Sequence, residues 1–211
     1  MIAHRALLFV NGEPPHHFPS DLTGYHYVAC TDGAYHNYLA STAIIPDFII
    51  GDLDSYHHTM AVPDKIQIIQ TPDQNKTDFE KAIIFLADKG IQHFDIYGAT
   101  GHASDHFLGN LSVALQYHSQ YQITFYDNYG HFFFAKKYQE IVNINNHIVS
   151  FMPFCEVTDL TITGVQYPLV NQTLTFGKFI SVRNKAISDL VKITFQQGNL
   201  IIFIEDFSSK H

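Results

Sequence analysis

At 211 residues the chain has room for one or two domains and a substantial core. Hydrophobic residues make up 46% and charged residues only 15%, with Phe and Tyr abundant, which excludes a disordered chain. The formal net charge of -8 excludes a broad surface for nucleic acid or an anionic membrane, because such partners need clustered Lys and Arg.

Residues 6–10 read as a first strand, too short an apolar run for a secretory signal, ending at Asn11-Gly12. Residues 13–20, with their prolines and the pair His16-His17, read as a surface loop. A second strand over residues 27–30 runs into Thr31-Asp32-Gly33-Ala34, where a helix starts that extends to Leu39. Asp32 then stands at a strand's carboxyl end, and two readings are open: a ligand-facing carboxylate, or a turn in which Thr31 or Asp32 merely caps the helix.

The most informative stretch is residues 46–55, Pro-Asp-Phe-Ile-Ile-Gly-Asp-Leu-Asp-Ser. Its apolar run fits a strand buried on both faces. If the extended conformation continues past Gly51, Asp52 and Asp54 point the same way. Two carboxylates at a strand exit offer hard oxygen ligands, which suit magnesium better than zinc; a plain polar turn is the alternative.

Residues 66–69 read as a further strand. In the stretch that follows, Thr77 and Glu80 have the spacing of a capping box, and Phe79, Ala82, Ile83, Leu86 and Ala87 recur at helical spacing until Gly90. Asp78 falls in the first helical turn, where the macrodipole favours a carboxylate and where a cation ligand is equally at home. A strand over residues 94–97 closes on Gly98-Ala99-Thr100-Gly101, and a helix carrying Leu108, Leu111 and Leu115 follows Asp105-His106. Strand, glycine turn and helix start together make a geometry that can cradle phosphate. Residues 122–126 give one more strand.

Beyond residue 128 helical periodicity stops. Residues 148–151, 160–162, 174–176 and 179–182 read as short strands, and alternation on both sides of Gly198-Asn199 reads as a hairpin. The expected fold is an α/β domain with an open, mainly parallel, Rossmann-like sheet over residues 1–128, then an all-β, sandwich-like domain over 129–211. Cys30 and Cys155 fit no ligand or disulfide pattern and read as buried free thiols. With no apolar run near the roughly 20 residues of a membrane helix, a soluble, cytoplasmic protein is expected.

Taken in order, these motifs resemble the thiamine pyrophosphokinase family. Asp32-Gly33-Ala34 matches its Asp-Gly-(Gly)-Ala turn, and residues 46–55 match its Pro-Asp-x-Ile-x-Gly-Asp-x-Asp-Ser signature. Thr77-Asp78-Phe79 after Asp73-Gln74 is similar to its Asp-Gln-Asp-x-Thr-Asp-Phe segment. Gly98-Ala99-Thr100-Gly101 with Asp105-His106 is similar to its Gly-Ala-Thr-Gly-Gly-Arg-x-Asp-His loop.

The resemblance implies transfer of a diphosphate from ATP to the hydroxyl of thiamine, giving thiamine diphosphate and AMP. It implies a homodimer, with thiamine where the β-rich domain of one subunit meets the α/β domain of the other. On this reading Asp52, Asp54 and Asp78 hold Mg2+ on the ATP phosphates, and Asp105 orients the site or accepts the thiamine proton. Asp32, Gly33, Gln74, Lys76, Thr77, Gly98, Thr100, Gly101 and His106 face the nucleotide, and Arg183 and Asn184 face thiamine.

The chain departs from the family pattern at three places. His102-Ala103 stands for Gly-Arg, Asn75 for a carboxylate, and Arg183 for Ser. With only Arg5 and Arg183 in the chain, Lys76 or Arg183 is expected to supply the missing cation. Two other readings compete. His102 and His106, four apart, would make a metal-dependent phosphohydrolase if both lay on one helix face. A nucleotide- or thiamine-binding protein without turnover would keep the motifs yet release no AMP.

Overall fold

The computed structural model describes residues 4–52 and 62–206, and its contacts divide the chain into two compact units, Met1–Asn128 and Tyr129–His211.

In the first unit, strands β1 (Arg5–Phe9), β2 (Tyr27–Thr31), β3 (Phe48–Gly51), β4 (Gln67–Gln70), β5 (His93–Tyr97) and β6 (Gln122–Tyr126) pair in parallel in the order β4-β3-β2-β1-β5-β6. Leu7, Leu8, Ile49, Ile50, Phe94 and Ile96 are fully buried. That burial explains why these strands read as unbroken apolar runs instead of alternating ones. The chain winds outward from β1 to β4 and then returns to place β5 beside β1. The sheet order therefore reverses between β1 and β5, which opens a crevice at their carboxyl ends.

Among the described residues three helices connect these strands: α1 (Asp32–Asn37), α2 (Asp78–Asp88) and α3 (Ser104–Tyr117), with a 3-10 turn over Leu39–Ser41 after α1. Phe79, Ala82, Ile83 and Leu86 of α2 are buried in the helical spacing expected. Burial of Phe79, Ile83 and Leu86 contributes roughly 1.5–3 kcal/mol each. Gly90, at φ 88, ends the run: its N–H bonds Ala87 O at 2.8 Å while Ile91 N–H bonds Leu86 O at 3.2 Å. The capping box forms by half. Thr77 Oγ1 accepts from Glu80 N–H at 3.2 Å, but the Glu80 carboxylate turns away to accept from the Tyr117 hydroxyl at 3.0 Å, joining α2 to α3.

The second unit is all β: β7 (Gly130–Phe134), β8 (Tyr138–Val142), β9 (Ile148–Thr163), β10 (Leu169–Thr175), β11 (Ser181–Lys185), β12 (Leu190–Thr194) and β13 (Gln197–Glu205), every pairing antiparallel. Three expectations need correction here. Residues 148–151 and 160–162 are not separate strands but parts of the 16-residue β9. Cys155, at φ 70, kinks β9, and the ladder to β13 shifts register opposite it, between Gly198 and Asn199. A left-handed residue in mid-strand interrupts the alternation by which a single strand is read.

The expected hairpin about Gly198-Asn199 is not one either. β12 pairs with β8 and β9, and β13 pairs with β7 and β9, so β9 runs between them. Gly198 serves the bulge instead, since a Cβ there would lie 1.9 Å from Glu156 O. Lastly, both thiols are free, but only Cys30 is buried; the kink leaves Cys155 exposed. Val149, Phe151, Val157, Leu160, Ile193 and Ile202 are fully buried and centre this unit's core.

Candidate active site

A cleft of about 380 Å³ opens in the first unit at the carboxyl ends of β1, β2 and β5, the crevice that the strand reversal creates. Its walls include Asn11 and Gly12 after β1, Thr31 to Gly33 at the end of β2 and start of α1, Thr77 and Asp78 at the cap and first turn of α2, and Gly101, His102, Asp105 and His106 around the start of α3.

One wall is acidic. Asp32 is 3% exposed; its Oδ1 accepts from Gly33 N–H at 2.7 Å, while its Oδ2 is buried with no partner among the described residues. Burial pushes the Asp32 carboxyl above the usual range, Asp78 and Asp52 push the same way, and the Gly33 N–H pulls against them. The helix-cap reading fails for Thr31, the N-cap of α1, whose side chain makes no capping bond, and holds by half for Asp32, whose Oδ1 takes the Gly33 N–H. Gly51 ends β3 without a side chain where the Asp32 carboxyl packs against it. Just beyond, Asp52 lies 3.7 Å from Lys81 Nζ, and the same ammonium donates to Asp78 at 3.0 Å. The exits of β2 and β3 and the first turn of α2 thus bring three carboxyl groups into one neighbourhood, two of them, Asp52 and Asp78, sharing one lysine.

The opposite wall is backbone. Gly12 N–H donates to Gly98 O at 2.7 Å and Glu13 N–H to Thr100 O at 2.8 Å, so the loop after β1 is tied to the glycine turn after β5. Gly98 has φ 75, and a Cβ on it would strike Val10 O at 2.2 Å. Asn110 Nδ2 donates to Ala99 O at 2.9 Å, holding the turn from the α3 side. Because the turn's carbonyls serve these ties, its amides are what it offers a ligand. The N-cap of α3, Ala103, makes no side-chain bond, and of the first-turn donors the His106 N–H is taken by Asp105 Oδ1 at 3.0 Å, so an anion there would meet the amides before it.

Asp32, Gly33, Thr77, Asp78, Gly101, Asp105 and His106 therefore share the cleft, with Asp52 joined to it through Lys81. Gly98 and Thr100 act through the backbone ties behind it. Asp54 lies outside the described residues. Gln74 is exposed, and Lys76 pairs with Asp73 at 2.8 Å rather than lining the cleft. Arg183 belongs to the second unit; it is left-handed at φ 53 and pairs with Glu205 at 3.1 Å. Asn184 beside it is 2% exposed, with Nδ2 donating to Tyr167 O and Oδ1 accepting from the N–H groups of Tyr167 and Lys185. His102 has φ 53 and precedes α3, so His102 and His106 do not share a helix face. That removes the hydrolase-type histidine pair.

Sequence reading passed over Asn11, Gly12, Lys81 and Asn110. Asn11-Gly12 carried a turn signal only, and Lys81 sits between the apolar positions of α2 with nothing local to mark it as buried. Among the described residues no three His, Cys, Asp or Glu side chains converge closely enough to form a complete cation site. Two carboxylates, Asp52 and Asp78, with the orphaned Asp32 Oδ2 nearby suit a cation that takes its remaining ligands from phosphate and water, as magnesium does.

Residues 19–125 match the family described as "Thiamin pyrophosphokinase, catalytic domain", and residues 136–200 match "Thiamin pyrophosphokinase, vitamin B1 binding domain". The chain belongs to the thiamine pyrophosphokinase family. A thiamine pyrophosphokinase of Bacillus subtilis is 29% identical over 213 residues, covering 94% of this chain and 97% of the relative. The crystal structure of thiamine pyrophosphokinase from Bacillus subtilis superposes with a TM-score of 0.80 at 27% identity, over 96% of this chain and 99% of that one. The yeast thiamin pyrophosphokinase structure, at 15% identity and a TM-score of 0.81, covers 99% of this chain and 88% of its own and shares the fold. The boundary between the two family matches falls where the parallel first unit gives way to the all-β second unit.

Proposed function

We propose that this chain works as a thiamine pyrophosphokinase, moving the terminal diphosphate of ATP onto the hydroxyl of thiamine and releasing AMP. The observation that carries this reading is the convergence of Asp32, Asp52 and Asp78 opposite an amide-rich glycine turn and helix start. Such transfer needs little covalent help from the protein; positioning and neutralisation of oxygen charge supply most of the catalysis.

In the reaction the thiamine hydroxyl oxygen attacks the β-phosphorus, the bond from that phosphorus to the oxygen it shares with the α-phosphate breaks, and AMP leaves with the electron pair. The hydroxyl proton goes to Asp105, at the cleft's rim on the first turn of α3. Asp52 and Asp78 are the residues we assign to Mg2+, with Asp54 beside them in sequence; bound there, the ion would neutralise phosphate oxygens. The turn amides around Gly98, Thr100 and Gly101, together with Gly33, Thr77 and His106, hold the nucleotide. Gln74 and Lys76 stand outside the cleft and are given no part in holding the nucleotide.

We read the first unit as a Rossmann-like nucleotide-binding domain and the second, from residue 129, as a sandwich-like domain for thiamine and dimerisation. Arg183 contacts thiamine in this reading, and Asn184 positions the Tyr167 backbone beside it. Exposed Val170, Phe176, Phe179 and Val182 support a homodimer through the second unit. No helix among the described residues is long and apolar enough to cross a membrane, and we place the protein in the cytoplasm.

The test is AMP release in the presence of thiamine, ATP and magnesium. Stoichiometric AMP and thiamine diphosphate are expected. ATP consumption that does not depend on thiamine, or ligand binding without AMP, overturns the reading. Light scattering on the same sample is expected to give twice the chain mass.

A further inference from the structure

We infer that Lys81 is the cleft's resident counter-ion: it holds Asp52 and Asp78 together before a divalent cation arrives and competes with that cation for both carboxylates. The inference rests on the metal chemistry proposed above, but it concerns a residue to which that chemistry assigns no role. The Lys81 side chain is 4% exposed, far below what a lysine on a solvated helix face shows. Its Nζ lies 3.0 Å from Asp78 and 3.7 Å from Asp52, carboxylates from different elements, so it is not simply one more surface pair along α2.

Asp32 adds a third carboxyl to the same neighbourhood, and its Oδ2 is buried without a partner among the described residues. The two carboxylates that meet the ammonium, Asp52 and Asp78, already outnumber it. A buried ammonium left alone would be costly, and so would two carboxylates facing each other without one. Each therefore explains the other's position. The arrangement also leaves unmet acceptor capacity at Asp32 and excess negative charge, which draw in a cation with more charge than the lysine carries. A divalent ion entering beside Asp52 and Asp78 meets the repulsion of the Lys81 ammonium, and the ammonium must share or release its two partners. Lys81 is a positioning residue in this scheme and touches no reacting atom.

The experiment measures Mn2+ binding without nucleotide, by the loss of the free-ion EPR signal, in wild type, Lys81→Met, Lys81→Gln and Lys81→Arg. Removing the charge is expected to tighten Mn2+ binding about tenfold in the Met and Gln variants, while the Arg variant stays within about twofold of wild type. Thermal melts are expected to show a lower melting temperature in metal-free Lys81→Met and a larger gain on adding Mg2+ than wild type shows. A variant that folds only when Mg2+ is supplied supports the same conclusion. Unchanged or weaker Mn2+ binding in both neutral variants, with cooperative melting retained, overturns it. AMP release by wild type is scored separately, so a chain that makes AMP but shows no tightening refutes the lysine's role alone. A chain that makes no AMP refutes the proposed reaction and leaves the binding comparison readable.

Discussion

Asp32 and Gly51 are in direct contact across two strand ends: a Cβ built on Gly51 would stand 2.7 Å from Asp32 Cγ. The glycine that precedes Asp52 is thus required by a neighbour that is remote in sequence. Replacing Gly51 with Ala is expected to push the Asp32 carboxyl out of place. The overpacking is expected to cost about 1–3 kcal/mol in urea unfolding, and AMP formation should fall with it. A Gly51→Ala protein with unchanged stability and rate would show that the contact is slack.

The same carboxyl sets a pH dependence. Burial, then repulsion by Asp78 and Asp52, raises the Asp32 pKa in the folded state above its unfolded value. The folded protein then holds a proton that the unfolded chain has already released, so the contribution to stability is complete below the unfolded pKa and is lost as pH rises through the folded one. Measured in a chelator, wild type is expected to lose stability as pH climbs out of the ordinary carboxylate range, and Asp32→Asn is expected to flatten that part of the curve. Parallel curves would refute it.

At the start of α2, Thr77 both caps the helix and lines the cleft. Thr77→Ala is expected to cost about 1 kcal/mol, the usual worth of such a cap. Thr77→Ser, which keeps the acceptor oxygen, should recover most of it. Urea midpoints with an unchanged slope would check both.

A hydrogen bond to the phosphates is expected from His102 more than from Lys76, because His102 lines the cleft while Lys76 is engaged with Asp73 outside it. Loss of one hydrogen bond to a charged oxygen is worth about 1.5–3 kcal/mol. His102→Ala should therefore raise the KM for ATP about tenfold or more, and Lys76→Ala less than about twofold. A larger effect at Lys76 would restore the expectation drawn from sequence.

In the second unit, Asn184 is buried with its amide spent on the backbone of Tyr167 and Lys185. Asn184→Ala leaves those groups without partners and is expected to cost about 1–3 kcal/mol. If Asn184 works through Tyr167, the KM for thiamine should rise in the folded variant while the KM for ATP stays put.

Local pattern was enough to read the first unit. Continuous apolar runs over Leu7, Ile49 and Phe94 marked strands buried on both faces, Thr77 marked a helix start, Gly90 its end, and the polar turns after the strands held Asp32, Asp52 and Asp78. These are properties of neighbouring residues, set by side-chain alternation, capping and left-handed glycine, and they survive without knowledge of the fold. Contacts made over long separations were hidden. Lys81 faces inward because β3 lies beside α2. Gly51 must be glycine because β2 lies beside β3, and Asn11 and Gly12 reach the cleft because β5 inserts next to β1. In the second unit β9 separates β12 from β13, so the adjacency in sequence that suggested a hairpin was overruled by a strand closed into the ladder from far away. Which side chain meets which across a sheet depends on strand order, and strand order is an outcome of the whole chain's packing.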